Sequence, residues 1–220
     1  MLPQLNQGAS HLAALSSECD EVGRLALGST PVHLREVFAV ALALDTRLAR
    51  LVSLAREPML AQIRLAWWRD RLQEPEDVRP RGDPVLDAVS THWRGIESAL
   101  QKLVDAWEHL LGDDPPPDRA RALGTGRGAV FAALADYAGA AGSAGQASAH
   151  GEVWAIATVQ QEAGVALADI VPPLAPLPRS LRGLALIGGL SKRAVLRGDG
   201  VLLGDRLSPL AAARIALLGR

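Results

Sequence analysis

Glu57-Pro-Met-Leu-Ala-Gln-Ile-Arg-Leu-Ala-Trp-Trp-Arg-Asp-Arg-Leu72 sets two adjacent tryptophans in a cationic, helix-periodic frame. Pro58 suits the first turn of a helix, where a missing N–H breaks no hydrogen bond, and Glu57 beside it suits the positive end of the helix dipole. A helix is therefore predicted from Pro58 onward. Met59, Ile63 and Ala66/Trp67 recur at helical spacing and predict its buried stripe, with Arg64, Trp68, Arg71 and Leu72 on adjoining faces. Two adjacent indoles cannot point the same way. Either one is core and the other a wedge between helices, with the arginines solvated or stacked on the rings, or Arg64, Trp68 and Arg69 face a cleft or a partner.

Composition supports helices throughout. Hydrophobic residues make up 49% of the 220 residues but aromatics only 4%, so the apolar part is mostly Ala, Leu and Val. Ala and Leu are strong helix formers, and the strand-favouring aromatics are scarce. The length suits one domain of ordinary size. A net charge of −1 gives no general electrostatic basis for binding nucleic acid. Charge is unevenly spread: no Lys or Arg lies between Arg127 and Arg179, where Asp136, Glu152, Glu162 and Asp169 stand, whereas Arg179 to Arg220 is basic. The single cysteine, Cys19, forms no disulfide within the chain, suits a reducing compartment and reads as a buried thiol. No secretory signal is visible, and the apolar run Leu181 to Leu190 is far short of the roughly 20 residues needed to cross a bilayer. A cytoplasmic protein follows, with peripheral membrane contact through the basic C-terminal part left open.

Working outward, a first helix is expected from Ser10 as N-cap to Gly28 in a left-handed closing position, and a second from Thr30-Pro31 to about Ala55. Asp45 interrupts the apolar stripe of the second, and neither Arg47 nor Arg50 is spaced to meet it. Gln73 to Asp83 reads as a loop. Asp83-Pro84 then caps what reads as one long helix, with apolar residues at Val85, Val89, Trp93, Ile96, Leu100, Leu103, Trp107 and Leu110. Asp83 and Asp87 share a face, but cap and first-turn roles explain both better than a metal does. Gly112 to Asp118 is a turn, and a further helix is interrupted by Gly124-Thr-Gly-Arg-Gly128, a kink or a close helix approach. A small-residue turn from Gly139 to Gly145 leads to a helix holding Val153/Trp154, Ala157, Gln160/Gln161, Gly164, Leu167 and Ala168, which ends before Pro172, and two shorter helices, Arg179 to Arg197 and Pro209 to Leu218, close the chain. No strand is convincing.

The Glu57 to Leu72 run resembles the signature segment of the squalene/phytoene synthase family, in particular its short, divergent bacterial and mitochondrial branch. Asp83-Pro-Val-Leu-Asp-Ala-Val89, Leu103-Val-Asp-Ala-Trp-Glu-His-Leu-Leu111, Gly128-Ala-Val-Phe-Ala-Ala-Leu134, Gly151-Glu-Val-Trp154 and Pro178-Arg-Ser-Leu-Arg-Gly-Leu184 are similar in order and spacing to its further segments. The resemblance covers residues 10–190, strongest at 57–72, and leaves 198–220 peripheral. It implies an all-α, single-domain bundle of the isoprenoid (terpenoid) synthase type over residues 1–220, with about seven or eight helices around a cavity. Enzymes of the family join prenyl diphosphates using magnesium held by aspartate-rich motifs on two facing helices, because hard cations must neutralise the departing diphosphate. Here the first motif position holds Asp45 alone. The second holds Glu162 without an acidic neighbour at i+3 or i+4, and the usual arginine is missing.

Two functions follow. In the first, prenyl transfer is lost and the bundle binds an isoprenoid-like lipid or a protein partner through Arg64, Trp67, Trp68, Arg69 and Trp107, with no cofactor; the divergent branch includes an assembly factor for respiratory complex I, which implies an assembly role. In the second, a magnesium-dependent prenyltransferase survives on a reduced acid set, Asp45, Asp105, Glu108 and Glu162. A helical interaction domain without a ligand is a third possibility. The oligomeric state is not legible in the sequence.

Overall fold

In the computed structural model, which describes residues 3–204 and 208–218, helix α3 (Arg35–Ser53) runs through the middle of the molecule. Every residue from Val37 to Asp45 is buried, which places the helix among others on all sides. The other helices are, in chain order, α1 (Pro3–Glu18), α2 (Glu21–Ser29), α4 (Pro58–Gln73), α5 (Pro84–His92), α6 (Glu97–Glu108), α7 (Pro116–Tyr137), α8 (Ala144–Ala163), α9 (Arg182–Arg197) and α10 (Ser208–Leu218); α1, α2 and α4 to α7 pack on α3, and α9 packs on α2 and α8 with α10 against it. The described residues are all-helical, contain no strand, and share one contiguous apolar core. No helix among them is long and apolar enough to cross a membrane.

Three helix boundaries differ from those expected. The stretch from Ser10 to Gly28 is two helices: Ser10 lies inside α1, and the chain breaks before Asp20, whose Oδ1 accepts from the Gly23 N–H at 2.6 Å and so caps α2. Gly28 stays within α2, which ends at Thr30, where the side chain bonds the Ala26 carbonyl at 2.8 Å. The single long helix expected from Asp83 is also two. Asp83 does cap α5, accepting from Val85 and Leu86, but Gly95 takes a φ of 84° and its N–H donates to Glu97 Oε2 at 2.7 Å. The apolar spacing survives because the bend swings Trp93 into the core, where its Nε1 donates to the Val37 carbonyl at 2.9 Å. Finally, α8 stops at Gly164, left-handed at φ 66°, rather than near Ala168; Gln160 Oε1 receives the Leu167 N–H beyond it at 2.8 Å. Of the expected closing loop, residues 205–207 lie outside those described.

Helix α4 starts at Pro58 as expected but turns the other way. Ala61, Leu65, Trp68 and Leu72 are buried, whereas Met59, Ile63 and Trp67 are 69%, 61% and 41% exposed. Both sets recur at helical spacing, and periodicity alone cannot choose between them. The row Leu65, Trp68 and Leu72 is the one turned into the core, on a helix packed against α6 and α3. The indoles do point apart, meeting edge to face at 5.2 Å.

Helices α7 and α8 form the most extensive pair. The glycines between Gly124 and Gly128 make no kink, since α7 is continuous; they allow close approach. A Cβ at Gly128 would lie 2.5 Å from Ser148 Oγ, and one at Gly151 only 2.7 Å from the Arg127 carbonyl oxygen. That seam fixes where Arg127 emerges.

Candidate functional site

Helices α3 and α8, the two on which acid motifs are expected, line a common cavity of about 400 Å³ together with α2, Trp107 of α6, Arg127 of α7 and the segment Val201 to Leu203. At its inner end Asp45, 4% exposed, meets Arg127, 3% exposed. Arg127 Nε and Nη2 donate to Asp45 Oδ1 and Oδ2 at 2.9 and 2.8 Å, a bidentate pair. Its Nη1 donates to Thr158 Oγ1 at 2.6 Å and to the Trp154 carbonyl at 3.1 Å. Trp107 Nε1 adds a third hydrogen bond to Asp45, at 3.0 Å to Oδ1. The guanidinium carbon lies 3.7 Å from the Trp154 ring centroid and 5.2 Å from that of Trp107, so the cation is held between two indoles.

Local sequence explains each placement. Asp45 sits on the one polar position of an otherwise apolar helix turn, so its carboxylate must find a donor inside the protein. Arg127 follows Gly126 and precedes Gly128, and those glycines bring α7 close enough to α6 and α8 for the side chain to reach across. The positive charge expected to be missing from this part of the molecule is therefore present: it comes from α7, immediately before the cation-free stretch begins.

The four acids of the reduced set do not converge. Asp105 and Glu108 both pair with Arg69 of α4, Asp105 at 2.6 Å, on the α4–α6 flank. Those two carboxylates hold the Arg69 guanidinium above its usual pKa. Glu162 pairs with Arg119 at 2.5 Å across the outer side of α7 and α8. Among the described residues no group of three or more His, Cys, Asp or Glu side chains is arranged to hold a metal. Of the acids that line the cavity, Asp45 has both oxygens engaged by a guanidinium and Asp20 caps α2 through Oδ1, so with Glu21 they fall short of the several free carboxylates a magnesium–diphosphate site needs.

Of the ligand- or partner-binding candidates, Trp107 alone reaches the cavity. Trp68 is buried against the core with the Arg47 guanidinium 5.9 Å from its ring, and Arg69 is engaged with Asp105 and Glu108. Arg64 and Trp67 stand on the outer surface of α4. Arg47 itself binds Glu18 at 2.7 Å and Asp83 at 2.5 Å, tying α3 to the end of α1 and the start of α5.

Sequence reasoning passed over Arg127, Thr158 and Trp154 as site residues. A signal existed: Arg127 is a lone cation in a run of small and apolar residues, and Asp45 is a lone anion in another. Two such orphans in one all-helical chain are mutual candidates, because a buried charge needs a buried counter-charge.

No protein-family model matches the chain, and neither the curated proteins nor the solved structures contain a match.

Proposed function

We propose that this protein is a squalene/phytoene synthase-like helical bundle that no longer transfers prenyl groups and instead binds an isoprenoid-like lipid in the cavity above Asp45 and Arg127. One observation carries the reading: the single acid at the first motif position has both oxygens engaged by an internal guanidinium. A carboxylate neutralised in this way has lost the free charge that a magnesium–diphosphate site requires. The rest of the lining supports an amphiphile with a polar head, the charged residues Asp20, Glu21 and Arg50 standing beside apolar wall. Trp107, Trp154, Val22, Ala49, Leu202 and Leu203 supply apolar wall, and Thr46, Ser53, Thr158 and Gln161 supply hydroxyl and amide groups for a single polar head.

The experiment has two arms. Purified protein with magnesium and farnesyl or geranylgeranyl diphosphate is expected to form no squalene or phytoene; product formation overturns the proposal. Titration with farnesol is expected to change tryptophan emission saturably, because Trp107 and Trp154 line the cavity, and Ala49→Phe is expected to abolish the change by filling the space. A response that Ala49→Phe leaves intact places the ligand elsewhere and overturns the assignment of this cavity.

A further inference from the structure

Two glycines in the left-handed region bracket Asp199: Gly198 at φ 96° closes α9, and Gly200 at φ 69° lays the chain against α8. Only a residue without a side chain fits the second position, since a Cβ there would lie 2.5 Å from the Ala157 carbonyl oxygen and 2.7 Å from the Gln161 backbone nitrogen. A fork forms between them. Arg197 Nε and Nη2 donate to Asp199 Oδ2 and Oδ1 at 2.7 and 2.8 Å, Oδ1 also accepts from the Val201 N–H at 2.9 Å, and Arg197 Nη2 donates to the Val201 carbonyl. Both backbone polar groups of Val201 are thereby held by one ion pair. Val201, Leu202 and Leu203 then line the cavity together with Thr46, Ala49 and Ser53 of α3. Among the described residues no hydrogen bond ties Leu202 or Leu203 to α2, α3 or α8; both lie partly buried against the core by apolar contact.

We infer that residues 199–203 are a strap forming one wall of this cavity, and that Asp199 and Gly200, which do not line the cavity themselves, are the positioning residues that set it. The inference rests on the reading of this cavity as the lipid site. A fork that merely finished α9 would serve the last carbonyls of that helix; this one reaches forward to Val201, the first residue of the wall. Gly200 adds a second tie, because its bare backbone lets the strap lie directly on α8 beside Thr158 and Gln161, which also line the cavity. Beyond these ties the wall is held by apolar contact alone, so the placement of Leu202 and Leu203 depends on what fixes the chain just before them. A wall already in place need not be ordered when the ligand binds, and its positioning residues therefore raise affinity without touching the ligand.

Acrylamide quenching of tryptophan emission tests the wall without any ligand, in a Trp67→Phe background that removes the one exposed indole; Trp68, Trp93, Trp107 and Trp154 are all buried. Asp199→Ala and Gly200→Val are each expected to increase quenching with unchanged circular dichroism, because Trp107 and Trp154 line the cavity. Asp199→Asn keeps an acceptor for the Val201 N–H and is expected to fall between Asp199→Ala and the wild type. Asp118→Ala, which breaks an exposed ion pair with Arg121, is expected to change nothing. Farnesol is expected to bind Asp199→Ala about tenfold more weakly, since the released wall must be ordered on binding. Quenching that Asp199→Ala leaves unchanged, or that Asp118→Ala raises equally, overturns the strap whatever farnesol does. A farnesol affinity that Asp199→Ala leaves unchanged overturns it as well. Farnesol that fails to bind the wild-type chain, with quenching still raised by Asp199→Ala and Gly200→Val alone, overturns the lipid reading and upholds the strap.

Discussion

Gly126 of α7 faces Ala106 of α6 with no space between them: a Cβ at Gly126 would lie 2.4 Å from the Ala106 Cβ and 2.8 Å from the Lys102 carbonyl oxygen. Alanine is favoured over glycine in a helix interior by about 1 kcal/mol, yet Gly126→Ala is expected to destabilise the protein. The added methyl group meets backbone rather than a side chain that can swing aside, and overpacking of this kind costs about 1–3 kcal/mol. Urea denaturation measures the balance. Gly145→Ala provides the control, since nothing lies within 4 Å of its Cβ; it is expected to be neutral or stabilising.

Asp45 and Arg127 form a buried pair whose halves depend on each other. Asp45→Ala leaves a guanidinium between two indoles with its main acceptor gone, and Arg127→Ala leaves a carboxylate with one indole donor. Each is expected to cost about 3–5 kcal/mol. The double variant Asp45→Leu with Arg127→Met is expected to be more stable than either single variant, because it removes both charges and keeps much of the volume. A double variant Asp45→Ala with Arg127→Ala whose loss equals the sum of the two alanine losses would show that the residues are not coupled.

Stability is expected to decline as the solution is acidified below the ordinary histidine range. Burial holds the His150 ring below its usual value of 6.5, with its Nε2 3.0 Å from the Ala175 carbonyl oxygen partly offsetting the shift and Lys192 adding to it. Burial also lowers His92, opposed by Glu36 and assisted by His11. Above 6.5 both states are neutral and nothing changes. Below it the unfolded chain takes up protons that the folded chain refuses, so the unfolded state gains. At lower pH Glu18 acts in the same direction: its hydrogen bond to Arg47 holds it below 4.5, and the stability it contributes is lost as pH falls through that depressed value. Thermal unfolding between pH 8 and pH 5 should show a falling midpoint below about 6.5, and His150→Gln should flatten the slope.

Cys19 should be close to inert in the folded protein. Burial pushes its thiol up to about 12, with Asp20 adding to the shift, and it is 1% exposed beneath α3. Reaction with a disulfide reagent at pH 8 requires thiolate, so labelling should follow the rate of opening of the α1–α2 corner. It should accelerate sharply at the urea midpoint. Rapid labelling well below that midpoint would mean that the corner opens independently of the rest.

What was legible in the sequence was the class of structure and most of its core. Val85, Val89, Trp93, Leu100, Leu103, Trp107 and Leu110 are buried as their spacing requires, with Ile96 half-buried beside the bend. What escaped was orientation and interruption. In α4 two apolar rows obey the same period, and only the neighbouring helices decide which faces inward. At Gly95 an unbroken apolar rhythm runs across a bend, because the rhythm is kept by the two helices separately. The site escaped for another reason: its ion pair joins residues 82 positions apart, and no local pattern registers a contact at that separation. What sequence could offer was chemical, a lone acid and a lone base, each costly to bury alone.

The glycine-lined seam between α7 and α8 bears on how this protein can vary over generations. Where backbone lies against backbone, as at Gly151 against Arg127 and Gly128, no larger residue fits without moving a whole helix, and moving α7 would draw Arg127 away from Asp45. The cavity's electrostatics therefore rest on positions that carry no side chain at all. Descendants of this chain can alter the lining at Ala49, Ser53 or Gln161 and so change what they hold, while the glycines must persist for the charge at the bottom to stay where it is.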